Sequence, residues 1–170
     1  HLNMGNVMIQ RAELGAADSE LQRALAYFDQ AQVRDLLPEL YGLFAELHWK
    51  QNDLAAAERD GLQSIELARE LAMPREEGHN LRILGEIALS QQQIDKAEKY
   101  LQESFALLSQ ADDEYESART QLALAQLYLA QQKFDEGLTL LDQCASTFER
   151  LQANLDLVSV QAVRAHFSLR

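Results

Sequence analysis

The stretch LHWKQNDLAAAE at residues 47–58 returns forty residues later as IALSQQQIDKAE, and forty later again as LYLAQQKFDEGL. An earlier copy, MGNVMIQRAELGAA, occupies residues 4–17, and no insertion or deletion is needed to keep the copies in register. One column holds Gly5, Ala45, Gly85 and Ala125, with Ala165 opening a fifth copy. A second small column holds Ala17, Ala57, Ala97 and Gly137. Large apolar columns run through Leu14, Leu54, Ile94 and Phe134, and through Val7, Leu47, Ile87 and Leu127. A fixed period in this range is the mark of stacked structural units, none of which can bury its apolar face alone.

Two small-residue columns, one in each half of a copy, suit two antiparallel helices whose axes approach closely. Large apolar residues at helical spacing fill the space beside that contact. Between the halves lies a short polar break, Asn52-Asp53 or Gln92-Gln93, and Asp95 and Asp135 follow in the first turn of the next helix. A carboxylate there favours the helix N-terminal dipole. The links AMPREE and QADDE between copies are also short, so every helix is expected antiparallel to its neighbour.

These columns resemble the tetratricopeptide repeat: a small residue, a helix ending near Lys-Gln-Gly-Asp, an apolar residue, then Ala three places on, as in HWKQNDLAAA. The usual repeat is about 34 residues. The longer copies here are similar to those of LGN-type adaptors, kinesin light chains and MalT-like transcription regulators. The early Trp of the motif is replaced by Tyr41, Leu81 and Gln121, and a bulky second-helix position by Gly61. Gly61 is expected to cost its helix roughly 1 kcal/mol unless close packing uses it. The resemblance implies an all-α fold, a right-handed α-solenoid of about nine helices. Residues 1–170 form a single solenoid, with repeats at about 1–37, 38–77, 78–117 and 118–157 and the first helix of a fifth at 158–170. The chain begins at His1 without an initiator Met, which reads as a piece of a larger protein.

Composition narrows the function classes. Hydrophobic residues make up 47% and charged residues 25%, with 7 Gly and 2 Pro, as in a helix-rich globular protein. No run approaches the roughly 20 apolar residues of a membrane span, and no signal peptide is visible. Cys144 stands alone, so no disulfide framework or thiolate metal cage is expected, and a cytoplasmic location is the simplest reading. A formal charge of −12 disfavours nucleic acid and anionic membrane as partners. His1, His48, His79 and His166 form no metal-binding spacing, and no phosphate-cradling glycine loop occurs. Asp112-Asp113-Glu114 reads as a solvated link with a helix cap, and Cys144 as a core residue. No catalytic residue, metal or cofactor is expected.

In tetratricopeptide arrays the first helix of each repeat lines a concave groove that takes extended peptides or helices. Carried over column by column, one row of that groove holds Asn6, Glu46, Glu86 and Gln126. Others hold Gly42 and Arg82; Glu39, His79 and Arg119; and Trp49, next to Lys50. Gly42 between Glu39 and Glu46, near Trp49, reads as a notch with an aromatic wall. Arg82 and Arg119 on successive repeats could pair with an acidic side chain, a carboxylate terminus or a phosphate. Structural roles compete: Arg82 neutralising Glu46 or Glu86, Trp49 packed between repeats, Gly42 without a role. The expectation is a non-enzymatic module binding a protein or peptide partner in a regulatory or signalling protein. The alternative is a small-molecule sensor, for an oligosaccharide as in MalT-like regulators. A third reading is homodimerisation through Val158, Val163 and Phe167, left partly uncovered on the terminal helix.

Overall fold

The chain turns at a residue in the left-handed region every twenty positions. Ala12, Gln32, Asn52, Ala72, Gln92, Asp112, Gln132 and Gln152 all have φ between 52° and 63°. The next residue's N–H reaches back five positions to a helix carbonyl, as in Asp53→His48 (2.8 Å), Gln93→Ala88 (2.9 Å) and Lys133→Tyr128 (2.8 Å). These are Schellman-type ends. In the computed structural model, which describes residues 2–168 apart from the Phe167 side chain, they separate α1 (Leu2–Gln10), α2 (Leu14–Ala31), α3 (Leu37–Lys50), α4 (Leu54–Glu70), α5 (Pro74–Ser90), α6 (Ile94–Gln110), α7 (Glu114–Ala130), α8 (Phe134–Arg150) and α9 (Asn154–Ser168). Asp53 and Asp113 cap the helices that follow them, accepting from the N–H groups of Ala56 (3.0 Å) and Glu116 (3.1 Å). The links between helix pairs thus lie a few residues upstream of 38, 78, 118 and 158.

None of the left-handed positions is glycine. An L side chain there costs about 1–2 kcal/mol, part of which glycine returns as lost chain entropy. Gln132→Gly is therefore expected to raise stability by about 0.5–1 kcal/mol, read as a higher urea midpoint. Asn52→Gly should gain less, because Asn tolerates this conformation.

One helix start breaks the period. α5, α7 and α9 begin at 74, 114 and 154, yet α3 begins at Leu37 rather than at 34. Pro38 is the cause. It occupies the first turn of α3, where its missing N–H is harmless. A start at 34 would place it where it must donate and where its ring strikes the preceding turn.

Among the described residues the architecture is all-α, a solenoid of antiparallel helix pairs. Within a pair the small columns permit close contact. A Cβ added to Gly85 would lie 2.6 Å from Leu101 Cδ2 and Cγ. Leu47, Leu127, Ala17, Ala57 and Ala97 are fully buried. A further small column, Ser64 and Ser104, bonds backbone across the pair: the hydroxyls donate to Pro38 O (2.5 Å) and Gly78 O (2.7 Å). Gly61 is indeed used for close packing, its open face occupied by Leu84 from the next repeat.

Candidate functional site

The backbones of α1, α3, α5, α7 and α9 each approach the next in that series, whereas those of α2, α4, α6 and α8 approach only first helices. Elements that stay in contact along one side while their partners diverge make that side the concave one. Along each of these first helices, residues three and four apart share a face.

The middle of this wall is closed by its own side chains. Arg82 is only 1% exposed and bonds Glu86 of its own helix (2.7 Å) and Glu116 of α7 (3.1 Å). Burial works against its charge, but the Glu86 and Glu116 carboxylates, with Glu46, outweigh it and raise the guanidinium pKa. Burial likewise pushes the Glu116 carboxyl up, while Arg82, His79 and Arg119 pull it down further, to about 2. Arg119 completes the network through Glu116 (3.3 Å) and lies 5.9 Å from the Tyr115 ring centroid. His79 is held below its usual pKa, chiefly by burial. Arg82 therefore neutralises the wall, and it is not available to an incoming carboxylate.

The notch at Gly42 is also filled. Asn80 of α5 lies buried against it, donating from Nδ2 to Glu76 O (2.7 Å), and a methyl group at 42 would run into its Oδ1. A missing Cβ here admits a neighbour's side chain, not a ligand. Glu46 is buried beside this contact. Trp49 packs on the cluster of Ala45, Ala57, Ile65, Leu81 and Leu84, so the indole belongs to the inter-repeat core.

One opening lies toward the C-terminal side. A cavity of about 190 Å³ is lined by Glu86, Arg119, Leu122, Ala123, Gln126, Asp156 and Ser159. Three expected groove residues, Glu86 and Gln126 from one row and Arg119 from another, meet there. Asn6, Glu39 and Lys50 are exposed elsewhere, outside this cavity. Burial, followed by the nearby Glu76 charge, raises the Glu39 carboxyl pKa.

A family model described as "Tetratricopeptide repeat" matches residues 77–152. Over those residues the chain is similar to tetratricopeptide repeats. No curated protein sequence matches the chain. Among solved structures, BtubC (BKLC) from P. vanneervenii superposes with a TM-score of 0.71 at 18% identity, over 96% of this chain and 71% of that one. A Signal Transduction ATPase with Numerous Domains (STAND) protein with a tetratricopeptide repeat sensor, from Pyrococcus horikoshii, gives a TM-score of 0.74 at 15% identity. That match covers 95% of this chain and 25% of the other. Identity at this level speaks for the fold alone.

Asp156 and Ser159 were not among the expected groove residues of the tetratricopeptide array. Extending the row of Glu39, His79 and Arg119 into α9 would have found Ser159, and the position one turn before it is Asp156. The terminal helix also departs from expectation. Val163, expected on its uncovered face, is 8% exposed and packs with Val160 in the cluster built on Leu141, Cys144 and Phe148. The uncovered face consists of Val158, 68% exposed, and Leu155, 86% exposed. The Phe167 side chain lies outside the described residues. Cys144 is fully buried, which pushes its thiol up to about 11 and leaves no thiolate for chemistry at neutral pH. No cluster of potential metal ligands occurs among the described residues, and none of their helices is long and apolar enough to cross a membrane.

Proposed function

We propose that this chain is a binding module that holds a peptide or helix, from a protein partner or from its own chain, along the concave wall. Tetratricopeptide repeats generally mediate protein–protein interaction, and such all-helical arrays are typically non-catalytic. The observation that carries the reading is the convergence of Glu86, Arg119, Gln126, Asp156 and Ser159, from three successive first helices, on one open cavity. A regulatory or signalling setting is in keeping with the STAND protein, whose tetratricopeptide repeats are described as a sensor.

A segment seated here meets more carboxylates than guanidinium groups. Both arginines of the wall are engaged internally, so carboxylate capture by Arg82 is disfavoured. Oligosaccharide sensing at Gly42 and Trp49 is disfavoured by the same closure. A homodimer through α9 would use Leu155 and Val158 rather than Val163.

The test is a pull-down comparing the wild type with Glu39→Arg/Gln126→Arg, both exposed positions whose change leaves the core intact. A matched outer-face variant, Gln63→Arg/Gln102→Arg, serves as control. The reading predicts a captured protein lost only with the concave variant. Equal capture by all three, or loss with the outer variant alone, contradicts it.

A further inference from the structure

The largest cavity described, about 550 Å³, lies away from the concave wall, between α2 and the start of α3. Its floor is Leu25, Phe28, Val33, Leu37 and Tyr41. Leu37 and Tyr41 fall on the face of α3 opposite Glu39, Gly42 and Glu46, by the 100° step of a helix. The delayed start imposed by Pro38 leaves residues 34–36 out of the helix, where the other first helices have their opening turn.

The same place can be compared in later repeats. Eighty positions on, a cavity of about 250 Å³ is lined by Phe105, Asp113, Ser117 and Gln121, the counterparts of Leu25, Val33, Leu37 and Tyr41. In the repeat between them, Arg69 lies across the position, bonded to Glu77 (2.5 Å) and Glu103 (2.9 Å). One register position is therefore bridged by ions, a second is polar, and the first alone is roomy and apolar. Packing does not require apolar residues there, because Asp113, Ser117 and Gln121 serve the third copy.

Gln22, Ala26, Asp29, Gln32 and Arg34 complete the lining. Arg34 at the mouth is already paired with Glu70 (2.9 Å) and Asp29 adds a carboxylate, which disfavours an anionic ligand. Gln22 and Gln32 offer both donors and acceptors. The volume falls within the roughly 300–1,000 Å³ of small-molecule sites, and a mostly apolar floor with a few polar groups is their usual composition. We propose that this groove binds a neutral, ring-bearing small molecule, its rings on Phe28, Leu37 and Tyr41 and a hydrogen-bonding end at the Asp29–Gln32 rim. The site is independent of the concave-groove reading.

N-phenyl-1-naphthylamine, which is neutral, has linked aromatic rings and one N–H donor, and brightens in apolar surroundings, is a suitable probe. Titrated into the intact chain, it should saturate one site. Val33→Asp/Leu37→Ser, the residues of the third copy, should weaken binding at least roughly tenfold. Those positions are half-buried, so a gain-of-function arm guards against misfolding: Asp113→Val/Ser117→Leu/Gln121→Tyr should create a second saturable site. Leu155→Gln/Val158→Gln, on the exposed face of α9, should leave binding unchanged. The proposal is overturned if the probe does not bind, if only the α9 variant abolishes binding, or if the loss variant binds as before and the gain variant adds no site.

Discussion

Arg82→Ala is expected to lower the stability of this chain by about 3–5 kcal/mol, the range for removing one partner of a buried ion pair. The side chain is 1% exposed and holds Glu86 and Glu116 at 2.7 and 3.1 Å. Its loss leaves two carboxylates under a wall that Glu46 makes more negative. Glu116, deprived of the foremost of the groups that bring it to about 2, then meets burial with Arg119 as its remaining ion-pair partner. The pH dependence supplies a second readout. A carboxyl depressed in the fold stabilises fully above its ordinary value of 4.5, and that contribution is lost as pH falls toward 2. The gap between wild type and variant, measured by urea unfolding, should therefore narrow between those limits. A variant as stable as wild type at pH 7 would mean that the network is not formed.

Gly61→Leu separates the structure from the repeat pattern most sharply. Leu21, Leu101 and Leu141 occupy this column in the other copies, so the pattern alone favours leucine and a gain in helix propensity. In the fold, a Cβ at 61 would lie 2.6 Å from Leu84 Cδ2 and 3.0 Å from its Cγ. Leu84 is itself 1% exposed, so it has nowhere to retreat. A loss of about 1–3 kcal/mol is expected from overpacking. Leu84→Ala alone should also destabilise, by opening a cavity, and the two changes together should lose less than their sum. Additive losses would show that the two side chains do not share the space.

The contrast marks how far the sequence could be read. The columns at Gly5, Ala45, Gly85 and Ala125, and at Val7, Leu47, Ile87 and Leu127, carry the fold, because one residue type at a fixed period implies one environment repeated. The bond from Arg82 to Glu86 is likewise legible, since residues four apart share a helix face. What failed to show was the identity of the neighbour on another helix. Gly42 looked open because its own side chain is absent, yet Asn80, thirty-eight positions later, fills the space. Val163 looked uncovered because periodicity does not say which side of α9 meets α8. The groove at Val33, Leu37 and Tyr41 was hidden for another reason: it follows from the helix start delayed by Pro38.

The most direct measurement is photo-crosslinking in cells from a benzoylphenylalanine placed in turn at Gln126, on the open cavity, and at Gln102, on the outer face of α6. Both side chains are exposed, so either probe should be tolerated. The concave-groove account predicts a discrete protein adduct from position 126, reduced by Asp156→Lys, and none from position 102. An adduct from 102 with 126 silent would place the interaction on the outer face and contradict it.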